Sequence, residues 1–120
     1  MALRPDADGR AAAMLVAPNG ATAAKLSWRA AEMPCFTLWK NQAGLADGYV
    51  TGLEPGTNYP NPRSYEETQG RVVPLEPHAG ISFDLAIDVL HGGAITAERE
   101  RIGGTPSQIH QQPKPGWSRE

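Results

Sequence analysis

The chain has 120 residues, 40% of them apolar and 20% charged, with a formal net charge of −2 and a pI near 5.9. That is the length and balance of one soluble globular domain. It excludes a strongly basic nucleic-acid surface, and with Lys and Arg scattered and no long apolar span it gives no case for an anionic membrane or a transmembrane helix.

Cys35 is the single cysteine, so no internal disulfide can form, and a reducing cytoplasm is the location this implies. Thirteen glycines and eleven prolines fall between short apolar runs, a pattern of strands joined by turns.

Residues 1–10 carry acidic groups where a signal peptide would be basic and then apolar, and they read as a flexible lead-in. A first strand is expected from Ala12 to Pro18, ended by the turn residues Pro18, Asn19 and Gly20. In "AKLSWRA", Leu26 and Trp28 alternate with Lys25, Ser27 and Arg29, the pattern of a half-buried strand. "CFTLWKN" sets Phe36 and Leu38 opposite Cys35, Thr37 and Trp39, and large groups on both faces suggest a central strand. "GYVTGLE" forms the next strand, with Pro55 helping to end it, and Arg71 to Leu75 a short one. "ISFDLAIDVL" alternates most cleanly: Ile81, Phe83, Leu85, Ile87 and Val89 share a face expected on a core. "AITAERERI" has helix-forming composition but is short enough to need docking, and residues 103–120 read as a disordered tail. The sum is six strands without room for crossover helices: an all-β, antiparallel β-sandwich over residues 11–102 with a short C-terminal helix.

The chemistry concentrates in "GYVTGLEPGTNYPNPRS". Glu54 shares a strand face with Gly52 and Val50, and Gly52 leaves open space beside the carboxylate. A carboxylate at a strand end under a proline-rich loop suits a positioned base; spacing alone favours the other reading, a solvent-facing residue or a partner for Arg63 or Arg71. Tyr59, between prolines, can stack on a flat sugar face or plug the loop. Asn58 and Asn61 can bond a hydroxyl-rich ligand or serve turn chemistry. Trp39 can line a cleft or belong to the core. His78, His91 and His110 are too scattered for a metal site, and there is neither a phosphate-binding glycine loop nor a Gly-x-Ser-x-Gly elbow.

From "GLEP" through "NYPNPRS" and "GRVVPLEP" to the final alternating strand, residues 35 to 95 resemble the C-terminal part of aldose 1-epimerase-like, galactose-mutarotase-type proteins, in particular a bacterial branch of unassigned substrate. The resemblance implies that the sandwich is part of a larger β supersandwich and that the function is sugar isomerisation at the anomeric carbon. It implies Glu54 as general base, taking the proton from the anomeric hydroxyl, and a histidine as general acid on the ring oxygen. Such a base contributes on the order of 10²–10⁴-fold. Asn58, Tyr59, Asn61, Arg63 and Trp39 would bind the sugar, and proton transfer needs no cofactor and no metal.

The family's acid histidine lies upstream, whereas all three histidines here follow Glu54. The resemblance therefore implies a C-terminal portion without its acid partner, which leaves open whether the isolated chain is an enzyme. It would also leave sheet edges exposed for self-association. The alternative is a non-catalytic carbohydrate-binding β-sandwich using the same loop residues.

Overall fold

The computed structural model describes residues 3–41 and 43–103. Among the described residues there are five strands, two α-helices and one turn of 3₁₀-helix: β1 (Arg10–Val16), β2 (Thr22–Arg29), β3 (Cys35–Lys40), the 3₁₀ turn (Leu45–Asp47), β4 (Thr51–Gly56), α1 (Arg63–Thr68), β5 (Leu85–His91) and α2 (Gly93–Ile102). Every pairing is antiparallel, in one sheet of order β1-β2-β5 and a second sheet of β3 and β4. The expected antiparallel all-β architecture is what the chain adopts.

The β1–β2 hairpin is closed by the predicted turn. Gly20 takes φ +70°, a backbone setting that costs glycine little, and the Asn19 side chain accepts a hydrogen bond from Ala21 N–H at 3.0 Å.

Trp28 joins the two sheets. It is 1% exposed, stacks on Phe36 with ring centroids 5.3 Å apart and 12° between planes, and donates its indole N–H to the Met33 carbonyl at 2.9 Å. An indole can be buried this fully because its one donor is satisfied. Ala11 lies opposite Trp28 on β1, where a small side chain leaves room for the ring. Leu3, Ala13, Leu26 and Leu53 pack around this cluster. On the other face of the three-stranded sheet, α2 buries Ile95, and Glu98 of α2 and Asp88 of β5 each stand 3.5 Å from Lys25 of β2.

Several expectations are corrected. Residues 71–75 form no strand: Pro74 cannot donate to a ladder, and Arg71 is committed elsewhere. Pro55 does not end its strand. It pairs with Phe36, and β4 runs on to Gly56, which a strand with one neighbour tolerates. For the same reason β3 is not a central strand; its only neighbour among the described residues is β4. β5 begins at Leu85 rather than Ile81. Among the described residues no element covers the apolar face of this segment: Ile81, Phe83, Leu85, Ile87 and Val89 are 45–72% exposed. Period-two alternation identifies which residues share a face but not which face meets a core. Helix α1, within a stretch read as loop, begins directly after Pro62. The expected tail lies, from residue 104, outside the described residues.

Candidate functional site

The β3–β4 ladder sorts its side chains by register. Phe36, Leu38, Leu53 and Pro55 share the face on which Phe36 and Leu53 meet the core. Thr37 opposite Glu54, and Trp39 opposite Gly52, share the face turned away from it. Glu54 is exposed and Trp39 is 48% exposed, so neither is spent on packing. They stand diagonally across the two strands, within the range over which long and aromatic side chains meet. The carboxylate bends back over Gly52, whose missing side chain gives it that room.

The arginines that were alternative partners for Glu54 are occupied elsewhere. The guanidinium of Arg63 pairs with Glu67 one helical turn on, at 3.1 Å, and that of Arg71 grips Glu66. Among the described residues Glu54 makes no ion pair.

The proline-rich loop after β4 is held from beneath by Glu66, a residue that the sequence did not single out. Its side chain is fully buried. Glu66 Oε2 accepts from Tyr59 N–H at 3.1 Å and from Arg71 Nε at 2.7 Å; Oε1 accepts from Asn61 Nδ2 at 2.7 Å and from Arg71 Nη2 at 2.8 Å. The two-toothed Arg71 grip, with the Asn61 and Tyr59 bonds, outweighs burial and holds the Glu66 carboxyl down at about 2. The same pairing raises Arg71. Arg71 also lies over the Tyr59 ring, 5.3 Å from its centroid.

Tyr59 is therefore half-buried beneath a guanidinium, which favours its role as the loop's plug. Burial raises its phenol and also raises the Cys35 thiol. The Cys35 thiol also donates to the Thr57 carbonyl at 3.7 Å.

Asn61 is half-buried with its amide on Glu66, whereas Asn58 is exposed, its amide donating to the Tyr59 carbonyl at 3.1 Å. Asn58, Asn61 and Arg63 line a shallow hollow of about 330 Å³ with Thr57, Val72 and Val73. The structure thus gathers three of the expected sugar-binding residues around one hollow and sets Glu54 with Trp39 on a neighbouring sheet face. Glu54 does not line the hollow. His78 and His91 are exposed, and among the described residues no group of three or more His, Cys, Asp or Glu is placed to hold a metal ion. No helix among the described residues is long and apolar enough to cross a membrane.

Glu66 had a faint signal in the sequence. Pro62 followed by "RSYEET" is a helix opening with acidic residues in its first turns, and an arginine stands just past the Gly70 that follows the helix.

The model of a domain of unknown function, DUF4432, matches residues 1–89. The chain is similar to a crystal structure from Klebsiella pneumoniae subsp. pneumoniae MGH 78578 described as a "putative aldose 1-epimerase", with 36% identity and a TM-score of 0.73. The match takes in 82% of this chain and 26% of that one, so the chain spans about a quarter of its length. No curated protein matches.

Proposed function

We propose, from the premise that this chain belongs to the DUF4432 family and is aldose 1-epimerase-like, that it forms part of a sugar isomerase in which Glu54 is the general base. One observation carries the reading: Glu54 is exposed, without an ion pair among the described residues, beside a half-exposed Trp39 on a sheet face turned from the core. Glu66, Glu67 and Glu98, by contrast, each hold an arginine.

In this reading the flat face of a sugar lies on the Trp39 indole. Glu54 takes the proton of the anomeric hydroxyl, the C1–O5 bond breaks, and O5 takes a proton from an acid. Rotation about C1–C2 presents the other carbonyl face. O5 then attacks C1 while its proton returns to the acid, and Glu54 gives its proton back to O1. No proton is consumed. The chain spans 26% of the Klebsiella protein, so the acid belongs to the proposal for the whole protein.

Polarimetry of freshly dissolved aldoses tests it. Accelerated mutarotation that disappears with Glu54→Gln is expected, and a folded chain that accelerates none of them removes the enzymatic reading for this chain.

A second reading has its own support. The hollow lined by Thr57, Asn58, Asn61 and Arg63 offers hydroxyl, amide and guanidinium groups without Glu54, which suits binding without catalysis. It predicts sugar-dependent NMR shifts at the residues lining the hollow, Thr57, Val72 and Val73 among them, with anomer exchange unchanged.

A further inference from the structure

The hollow has two walls. One is the loop carrying Thr57, Asn58 and Asn61; the other is the segment carrying Val72 and Val73. No strand ladder joins them, because residues 71–75 run without sheet pairing. The joint is Glu66. On the loop side its carboxylate takes the Tyr59 N–H and the Asn61 amide; on the other side it takes both teeth of Arg71, directly before Val72. The Glu66 backbone adds to this, its carbonyl accepting from Arg71 N–H at 3.0 Å. The ring of Tyr59 under Arg71 makes a further contact between the walls.

We propose that Glu66 is the positioning residue of this hollow, fixing the spacing of its walls so that Thr57, Asn58 and Arg63 meet a hydroxyl-rich sugar in one geometry. The sugar class rests on the function proposed above; the clamp does not. Glu66 does not line the hollow, and it acts only through Asn61, Tyr59 and Arg71. A fully buried charge has two alternatives, to be paired or to be absent, so a glutamate here must be answered by donors from every side. That requirement makes the arrangement specific: a neutral amide at position 66 presents an NH₂ group to at least one of its present donors.

Glu66→Gln tests the proposal, with amide exchange and a sugar panel followed by NMR on both proteins. At a temperature where the Trp28 and Leu26 amides keep wild-type protection, the Tyr59 amide should exchange at least about tenfold faster. Sugar Kd, read from the Thr57, Val72 and Val73 amides, should rise at least about tenfold. If Glu66→Gln proves unfolded, Arg71→Lys takes its place: it keeps the charge and loses the two-toothed grip, and the same two changes are expected. Unchanged Tyr59 exchange and unchanged Kd in a folded variant overturn the proposal. A wild-type chain that answers no sugar removes the sugar reading alone, since Tyr59 exchange still decides the clamp.

Discussion

The carboxylate of Glu54 occupies space that Gly52 leaves empty: its Oε1 stands 2.6 Å from the point where a β-carbon on residue 52 would lie. No real contact is that short, so Gly52→Ala must move the carboxylate. The atom met is the far end of a flexible side chain, so the fold absorbs the change. Gly52→Ala should leave the thermal midpoint within a few degrees of wild type while lowering any Glu54-dependent mutarotation at least about tenfold, since misplacing a reacting group by about 1 Å costs on the order of 10²-fold. Polarimetry beside a thermal melt separates the two. A full wild-type rate in Gly52→Ala removes the idea that this posture of Glu54 matters.

Glu54→Gln divides structure from chemistry more sharply. The side chain is exposed on a face turned from the core, and such substitutions usually stay within about 0.5 kcal/mol. The general-base reading asks that mutarotation fall on the order of 10²–10⁴-fold in the same protein. Chemical denaturation that shows a large stability loss would assign Glu54 a structural role.

What could be read in the sequence follows from the range of each interaction. The β1–β2 hairpin and its Asn19–Gly20 turn are local, and strand alternation with turn chemistry specifies them. The Trp28–Phe36 stack is non-local, but alternation had already placed each ring on an apolar face. The loop residues Asn58, Asn61 and Arg63 were legible as a group because they are close in sequence, and they do share a hollow. Coverage was not legible. Alternation in "ISFDLAIDVL" cannot say whether a second sheet lies over Ile87, and among the described residues none does. Glu66 was also missed, because "EE" on a short polar helix looks solvated until Arg71 and Asn61 are seen to converge on it.

The uncovered face of β5 leads to a prediction about association. Leu85 lies opposite Trp28, Ile87 opposite Leu26 and Val89 opposite Ala24, so the apolar surface of the core sheet continues outward past the point where β3 and β4 cover it. β5 also has β2 as its one neighbour among the described residues. A second copy of this chain, laid edge to edge and face to face, would cover both features. Light scattering should therefore give a mass above that of the monomer at micromolar concentration. Ile87→Lys should return it to the monomer mass, since residue 87 is 72% exposed and not needed for the core. A wild-type chain that stays monomeric at high concentration rules the association out.

Acid sensitivity should centre on Glu66. Its carboxyl is held at about 2 when folded, against an ordinary value of 4.5, chiefly by the Arg71 hydrogen bonds. The unfolded chain therefore takes up a proton at this site before the folded chain does. The stability contributed by the ionised form is complete above about pH 4.5 and is lost as pH falls toward 2. Glu98, lowered chiefly by its Arg101 hydrogen bond, and Asp6, lowered chiefly by the Arg10 backbone N–H, act in the same direction. The urea midpoint should fall steeply across that window in the wild type. In Glu66→Gln it should start lower and fall less steeply, because position 66 no longer titrates while Glu98 and Asp6 still do. At pH 7 the Glu66→Gln midpoint should already lie below that of the wild type, because an amide at position 66 turns an NH₂ group toward at least one of the donors that Glu66 now accepts from. Parallel curves for the two proteins between pH 4.5 and 2 would show that the proton which unfolds the chain in acid goes elsewhere.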